Sequence, residues 1–242
     1  MIDYYTPSAE FYDMVAVRHT ASSGPPLARV LASVDTSHGP IVEIGAGTGR
    51  ITEVIAATLP GADIIAAEPS ATMRAILTAR IAGDPDLRRR VTVTDDFAQD
   101  LRLPDHVSAV VVFGVAGHLT PPERIALWRR LSERLPPGGP IVVELMGVHA
   151  PRHIPPVMSL RETIGRQTYE WWIGGEPASG DAMRFTTTWK VLRDGRTVRE
   201  VSDSYLWHTI DVAQLSREAG MTSHRVTEAG GQAVPEIGVL LK

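Results

Sequence analysis

Hydrophobic positions along this chain fall into two regimes. Between residues 41 and 146, short apolar runs at 41–44, 62–67, 91–94, 107–113 and 141–146 read as five strands. The runs at 41–44 and 107–113 show little alternation of apolar and polar positions, as buried parallel strands do, and 91–94 is a β-branched strand. Helical periodicity fills the gaps: Ile51, Val54, Ile55 and Leu59, then Met73, Ile76, Leu77 and Ile81, then Leu127, Trp128, Leu131 and Leu135. Ser70 caps the second of these helices, and Gly83-Asp84-Pro85 ends it. The basic run Arg88-Arg89-Arg90 that follows reads as a solvated loop. Thr120-Pro121-Pro122-Glu123 opens the third helix as a capping box with proline in its first turn, and Pro136-Pro137-Gly138-Gly139 stops it.

Past residue 150 the pattern changes. Segments 168–173, 185–192 and 197–207 read as antiparallel strands, the last two joined by a tight turn at Asp194-Gly195. Asp211 caps a helix carrying Val212, Leu215 and Ala219 and closed by Gly220. Two strands at 221–227 and 234–241, joined through Gly230-Gly231, complete the chain. At the other end, Tyr4, Tyr5, Phe11 and Tyr12 make the first residues too aromatic for a random tail. A helix over 8–19 would put Phe11, Met14 and Val15 on one face; Ser22-Ser23-Gly24-Pro25-Pro26 predicts a break, and 27–34 a second short helix.

The chemistry gathers at the end of the first strand. Gly45, Gly47 and Gly49 follow Ile41-Val42-Glu43-Ile44 directly, and Arg50 begins an amphipathic helix. A strand, a turn without side chains and a helix start let backbone N–H groups approach a carboxylate or phosphate. A dinucleotide fingerprint needs a third glycine where Arg50 stands, and a long arginine does not fit the packing role of that glycine. Glu68 closes the second strand about 20 residues past the loop, where such units place an acid that accepts from both ribose hydroxyls. Its alternative role is an acid facing the start of the helix at Ser70.

Glu43 with Gly45, Gly47 and Gly49 closely resembles motif I of the class I S-adenosylmethionine (SAM) dependent methyltransferases, E/D-x-G-x-G-x-G. The passage from Leu135 through the Pro-Pro-Gly-Gly stop to Glu144 resembles the family's helix-to-strand-five connection, and the closing helix with an antiparallel pair resembles its C-terminal half. The resemblance covers 27–148 and 209–242. It implies a Rossmann-like α/β sheet with an antiparallel C-terminal strand pair. Residues 1–26 would then be an N-terminal lid, 27–150 the SAM-binding core, 151–208 an antiparallel insertion acting as substrate cap or dimer contact, and 209–242 the rest of the core. A lid and an insertion after strand five resemble the small-molecule N-methyltransferases, including the amino-sugar N,N-dimethyltransferases of macrolide pathways.

The resemblance implies SAM as cofactor and S-adenosylhomocysteine as product. Glu43, Gly45, Ala46, Gly47 and Gly49 would hold it at the loop, with Glu68, Pro69 and Met73 beside the ribose. Asp96 and Phe97, with Asp95 as the alternative acid, would meet the adenine, and Phe113 and Gly114 would adjoin it at the end of strand four. Tyr12-Asp13 resembles the lid's Tyr-Asp pair, although an ordinary docked terminal helix explains it equally. Tyr5, His118, Met146, Trp171 and Trp172 are the expected substrate contacts, with Tyr205 and Trp207 nearby. Aromatic faces favour a cationic amine, but the same residues could pack the inserted sheet or a homodimer contact. His118 is the candidate base or substrate ligand, or else a structural helix-start residue; His149, His153 and His208 rank below it.

Composition bounds these readings. The chain has 242 residues, 43% hydrophobic and 21% charged, the size of one α/β domain with an insertion. A net charge of −4, no dense basic surface and no N/D-P-P-Y-type motif after strand four argue against a nucleic-acid substrate. There is no cysteine, and Asp95-Asp96 has no supporting oxygen ligand nearby, so no metal site is expected. No signal-like N-terminus or membrane-length apolar run is read, so a cytoplasmic protein is expected. Lysine occurs only at 190 and 242, a bias that hints at a GC-rich bacterial genome. The expected activity is methylation of a small-molecule or peptidic natural-product substrate, most simply at an amine. The alternatives are O-methylation with His118 as base, and a SAM-binding scaffold without catalysis.

Overall fold

The computed structural model describes residues 5–226 and 236–242. Its first half alternates as the apolar runs require: α1 (Ala9–Leu31), β1 (Ile41–Ile44), α2 (Arg50–Thr58), β2 (Ile64–Ala67), α3 (Ala71–Gly83), α4 (Pro85–Arg90), β3 (Val91–Thr94), β4 (Ala109–Phe113), α5 (Pro121–Arg134) and β5 (Pro140–Leu145). An inserted sheet follows as β6 (Ile154–Ile164), β7 (Gln167–Pro177), β8 (Ala182–Arg193) and β9 (Arg196–His208), then α6 (Val212–Ala219), β10 (Thr222–Arg225) and β11 (Glu236–Leu241). The main sheet has the order β10-β11-β5-β4-β1-β2-β3, parallel from β5 to β3 and antiparallel at β11 and β10. β1, β4 and β5 are buried along their whole length, with an apolar cluster on each face of the sheet, as a doubly covered parallel sheet demands. The expected link at Gly230-Gly231 lies outside the described residues.

Four expectations need correction. The break at 22–26 is absent, so α1 runs unbroken through Pro25 and Pro26 and across the expected boundary at 26/27. The hydroxyls of Ser22 and Ser23 both donate to the His19 carbonyl at 2.9 Å, Gly24 lies against Val54 of α2, and Leu27 and Leu31 are fully buried. That burial outweighs two missing N–H donors. The basic run is helix, not loop: Asp84 caps α4 with Pro85 in its first turn, and Arg90 donates to the carbonyls of Ala56, Leu59 and Ala62.

The insertion has four strands rather than three. β6 carries Pro155 and Pro156, which argue against a central strand, but β6 is an edge strand, where proline is tolerated. A two-residue turn at Gly165-Arg166, with Gly165 at φ 59°, joins it to β7. The fourth correction is to Trp172. Neighbouring strand residues point to opposite faces, and Trp172 bonds Glu170 under Lys190, away from the cavity that Trp171 lines.

α1 ties the two sheets together. Phe11 stacks on Trp189 of β8 at 5.1 Å between ring centroids, while Leu27 and Leu31 pack into the main core.

Candidate active site

Two cavities meet at the carboxyl ends of β1 and β4, where open α/β sheets place their ligands. The smaller, about 400 Å³, is lined by Glu68, Pro69, Met73, Asp96 and Phe97 from the β2 and β3 side. The larger, about 540 Å³, lies between α1, the end of β5 and the inserted sheet, and includes Glu43, Ala46, Met146 and Trp171. Tyr5, Tyr12, Gly45, Gly47, Phe113, Gly114 and His118 line both and so mark the junction.

The glycine loop is shaped by sterics. Gly45, Gly47 and Gly49 all have positive φ, at 74°, 56° and 88°. A Cβ on Gly45 would stand 2.3 Å from the Val115 side chain, whereas at Gly47 it would meet only the Tyr12 ring at 3.9 Å. The space over Gly47 is therefore open toward the junction. Gly49 lines neither cavity; its backbone caps α2, and a Cβ there would lie 2.7 Å from Leu77. Its place is at the packing of α2 on Leu77.

Glu68 is 6% exposed and accepts from two backbone N–H groups, Gly47 at 2.7 Å and Ser70 at 2.8 Å. One carboxylate thus fixes the glycine loop and the α3 start together. Asp96 lines the smaller cavity and accepts from Arg102 Nε at 2.9 Å, while Asp95 does not line it. Glu43 is buried and accepts from Thr52 Oγ1 at 2.5 Å. Burial pushes its pKa up to about 8, with the Thr52 hydrogen bond opposing and the Glu68 charge assisting.

Tyr12 stands over Gly47 because Asp13 is clamped next to it. Asp13 accepts from Thr48 Oγ1 at 2.8 Å, from Arg50 Nε at 3.0 Å and from Arg80 at 2.9 Å. Burial works against its charge, yet the Arg50 and Thr48 hydrogen bonds and both guanidinium charges bring its pKa below the usual carboxylate range.

His118 closes a short turn (Ala116–His118) after β4. Its ring is ringed by Tyr5, Tyr205 and Trp207, with centroids at 6.0, 5.2 and 5.1 Å. Burial lowers its pKa to about 4, opposed by a hydrogen bond to the Leu206 backbone, so the ring is neutral at pH 7. A ring that donates to that carbonyl leaves Nε2 as acceptor, and the Tyr5 hydroxyl stands 2.8 Å from Nε2. Burial holds the Tyr5 hydroxyl well above its usual pKa, assisted by the charges of Tyr12, Tyr205, Glu68 and Asp203, so it stays a phenol.

His149 and His153 pair with Glu236 and Glu176 away from the junction, and His208, paired with Asp181 at 2.7 Å, lines the smaller cavity. Sequence reasoning passed over His19, Glu144, Asp203 and Trp189, all of which line the larger cavity. Glu144 interrupts an apolar strand as Glu43 does, a signal that could have found it. His19 Nε2 lies 2.5 Å from Glu144; burial disfavours the charged ring, but the Glu144 hydrogen bond and charge outweigh it and raise its pKa. Among the described residues no group of three or more His, Cys, Asp or Glu is arranged to hold a metal, and no helix is long and apolar enough to cross a membrane.

The residues present fit SAM. An open glycine cradle, a buried carboxylate at the end of β2 and an apolar slot at Met73 and Phe97 match its amino-acid end, ribose and adenine.

Comparisons with known proteins agree. Residues 42–141 match the methyltransferase domain family. A methyltransferase of Geobacillus kaustophilus, itself uncharacterized, is 31% identical over 115 residues, 47% of this chain and 50% of that protein. The chain thus spans about half the length of the curated relative it matches. Among solved structures, Streptomyces venezuelae DesVI superposes with a TM-score of 0.73 at 22% identity, covering 100% of this chain and 99% of that one. SAM-bound CalS10, an amino pentose methyltransferase from Micromonospora echinaspora involved in calicheamicin biosynthesis, gives 0.71 at 18%, covering 96% and 97%. The sugar N-methyltransferase KedS8 from a Streptoalloteichus species gives 0.71 at 18%, covering 96% and 92%. Likeness at such identity establishes the fold. Residues 42–141 are therefore similar to a methyltransferase domain, and the chain has the fold of the class I methyltransferases.

Proposed function

We propose that this protein transfers a methyl group from SAM to the nitrogen of a small-molecule or peptidic amine. The observation that carries the choice of nitrogen is the state of His118. With a pKa near 4 and Nε2 held by Tyr5, it is a weak base whose lone pair is already engaged. A hydroxyl acceptor needs a positioned base, whereas an amine attacks once its ammonium form has lost a proton.

Bound SAM would supply an electrophilic methyl on a positive sulfur. Glu68, Pro69, Met73, Asp96 and Phe97 hold its adenosine, while Gly45, Gly47, Glu43 and Tyr12 hold the amino-acid end. The wall of the larger cavity, with Trp171, Trp189, Tyr205 and Trp207 among carboxylates, suits an amine-bearing substrate, since aromatic faces and acids both attract a cation. Tyr5 and His118 orient the acceptor at the junction, and α1 with the inserted sheet keeps water out. The relatives named above as amino pentose and sugar N-methyltransferases support a natural-product role.

The test is turnover with SAM on a panel of small amines and their hydroxyl counterparts, with mass spectrometry locating the methyl group. His118→Ala should slow N-methylation less than tenfold. A methyl on oxygen, with a loss of about 10²–10⁴-fold in that variant, would overturn the proposal in favour of His118 as base.

A further inference from the structure

Asp203 stands where strand alternation calls for an apolar residue. Val201, Tyr205 and Trp207 share its face of β9 and pack into the apolar clusters of the inserted sheet. Asp203 lies in line with them, opposite Thr187 of β8, and both residues line the larger cavity. Its Oδ1 accepts from the Ser204 N–H at 2.7 Å, a neighbour on its own strand. A carboxylate on the inward face of a sheet attracts hydrogen-bond donors and cations to the cavity it lines.

Its surroundings are those of the junction. Tyr205, two residues along the same face of β9, has its ring 5.2 Å from that of His118, and Asp203, Tyr5 and His118 line the one cavity. Tyr5 is bonded to His118 where the cavities join. With adenosine in the smaller cavity, the transferred methyl must sit at that junction, on the side of the larger cavity where Asp203 lies.

We propose that Asp203 is a catalytic residue of the methyl-acceptor site, its carboxylate accepting a hydrogen bond from the substrate amine while the Tyr5 oxygen accepts a second. This rests on the N-methylation reading above. Two fixed acceptors leave the nitrogen lone pair aimed at the junction. The ammonium first gives one proton to solvent. The N–C bond then forms as the S–C bond breaks, the electron pair of that bond staying on sulfur. Positive charge moves to nitrogen during the step, and the Asp203 carboxylate stabilises it there.

Sinefungin tests this without knowledge of the substrate, because it carries a primary ammonium group at the position of the transferred methyl. Calorimetric titration of the full chain should show sinefungin binding more tightly than S-adenosylhomocysteine. Asp203→Asn should leave S-adenosylhomocysteine binding within about twofold and weaken sinefungin by about 10–100-fold, the loss of one charge-assisted hydrogen bond. Thr187→Val should change neither ligand. Equal weakening of both ligands by Asp203→Asn would make Asp203 a structural residue, and no change in either would remove it from the site; both results overturn the proposal. If the parent protein binds no S-adenosylhomocysteine, the cofactor reading fails first, and the role of Asp203 falls with it.

Discussion

Replacing Glu68 with alanine should damage the protein even when no cofactor is present. Its carboxylate accepts from Gly47 at 2.7 Å and Ser70 at 2.8 Å in a site only 6% exposed. A hydrogen bond to a charged group contributes about 1.5–3 kcal/mol, and partial access of water to the freed N–H groups brings the pair to about 3 kcal/mol. In a domain of this length about 1 kcal/mol corresponds to about 2–4 °C, so the free protein should melt about 6–12 °C lower. Loss of the ribose acceptor should in addition weaken SAM by about 5–150-fold, or about 1–3 kcal/mol. Glu68→Gln should fall in between, because its amide oxygen keeps one N–H while its NH₂ faces the other. Scanning calorimetry of the free variants, followed by titration with S-adenosylhomocysteine, reads both effects. A free Glu68→Ala protein melting within about 2 °C of the parent would refute the double anchoring, and undiminished affinity would refute the ribose contact.

Other outcomes follow from the same geometry. Gly47→Val places a branched side chain at φ 56° in the space beneath Tyr12, and titration should show no SAM binding. Asp13→Ala removes the acceptor that Thr48, Arg50 and Arg80 share, so limited proteolysis should cut within α1 faster and SAM should bind several-fold more weakly. Two buried groups give opposite pH dependences. The raised pKa of Glu43 gives stability that is complete below pH 4.5 and lost as pH rises through about 8, a slope that Glu43→Gln should remove from the melting curves. The lowered pKa of His118 gives stability that is present above pH 6.5 and lost as pH falls through about 4, and His118→Asn should flatten that limb.

The parts of this fold that could be read from the chain are those written in local signals. The glycine spacing, the Thr120–Glu123 capping box and the apolar β4 each carry their own geometry, and the structure places them as expected. What escaped depends on what lies alongside. Pro155 and Pro156 argue against a strand until β6 is known to be at an edge, and the Ser-Ser-Gly-Pro-Pro stretch argues against a helix until Leu27 and Leu31 are seen buried. Trp171 and Trp172 were a different case, since alternation forbids both from facing one cavity and the sequence alone contained that constraint. Asp203 breaks an apolar face that could be recognised only once the register of β8 and β9 was known.

One strand of the insertion serves two masters. Leu206 and His208 of β9 border the smaller cavity, while Asp203, Tyr205 and Trp207 of the same strand border the larger one. A Cβ on Gly117 would stand 2.1 Å from the Trp207 ring, so the turn that carries His118 is seated hard against that strand. For anyone re-engineering substrate scope, the more editable wall is therefore β7 and β8, at Trp171 and Thr187, with Trp189 kept for its stack on Phe11. A cap transplanted from a relative should bring β9 and residues 114–119 as one piece, because dividing them would change the larger cavity at the expense of the smaller.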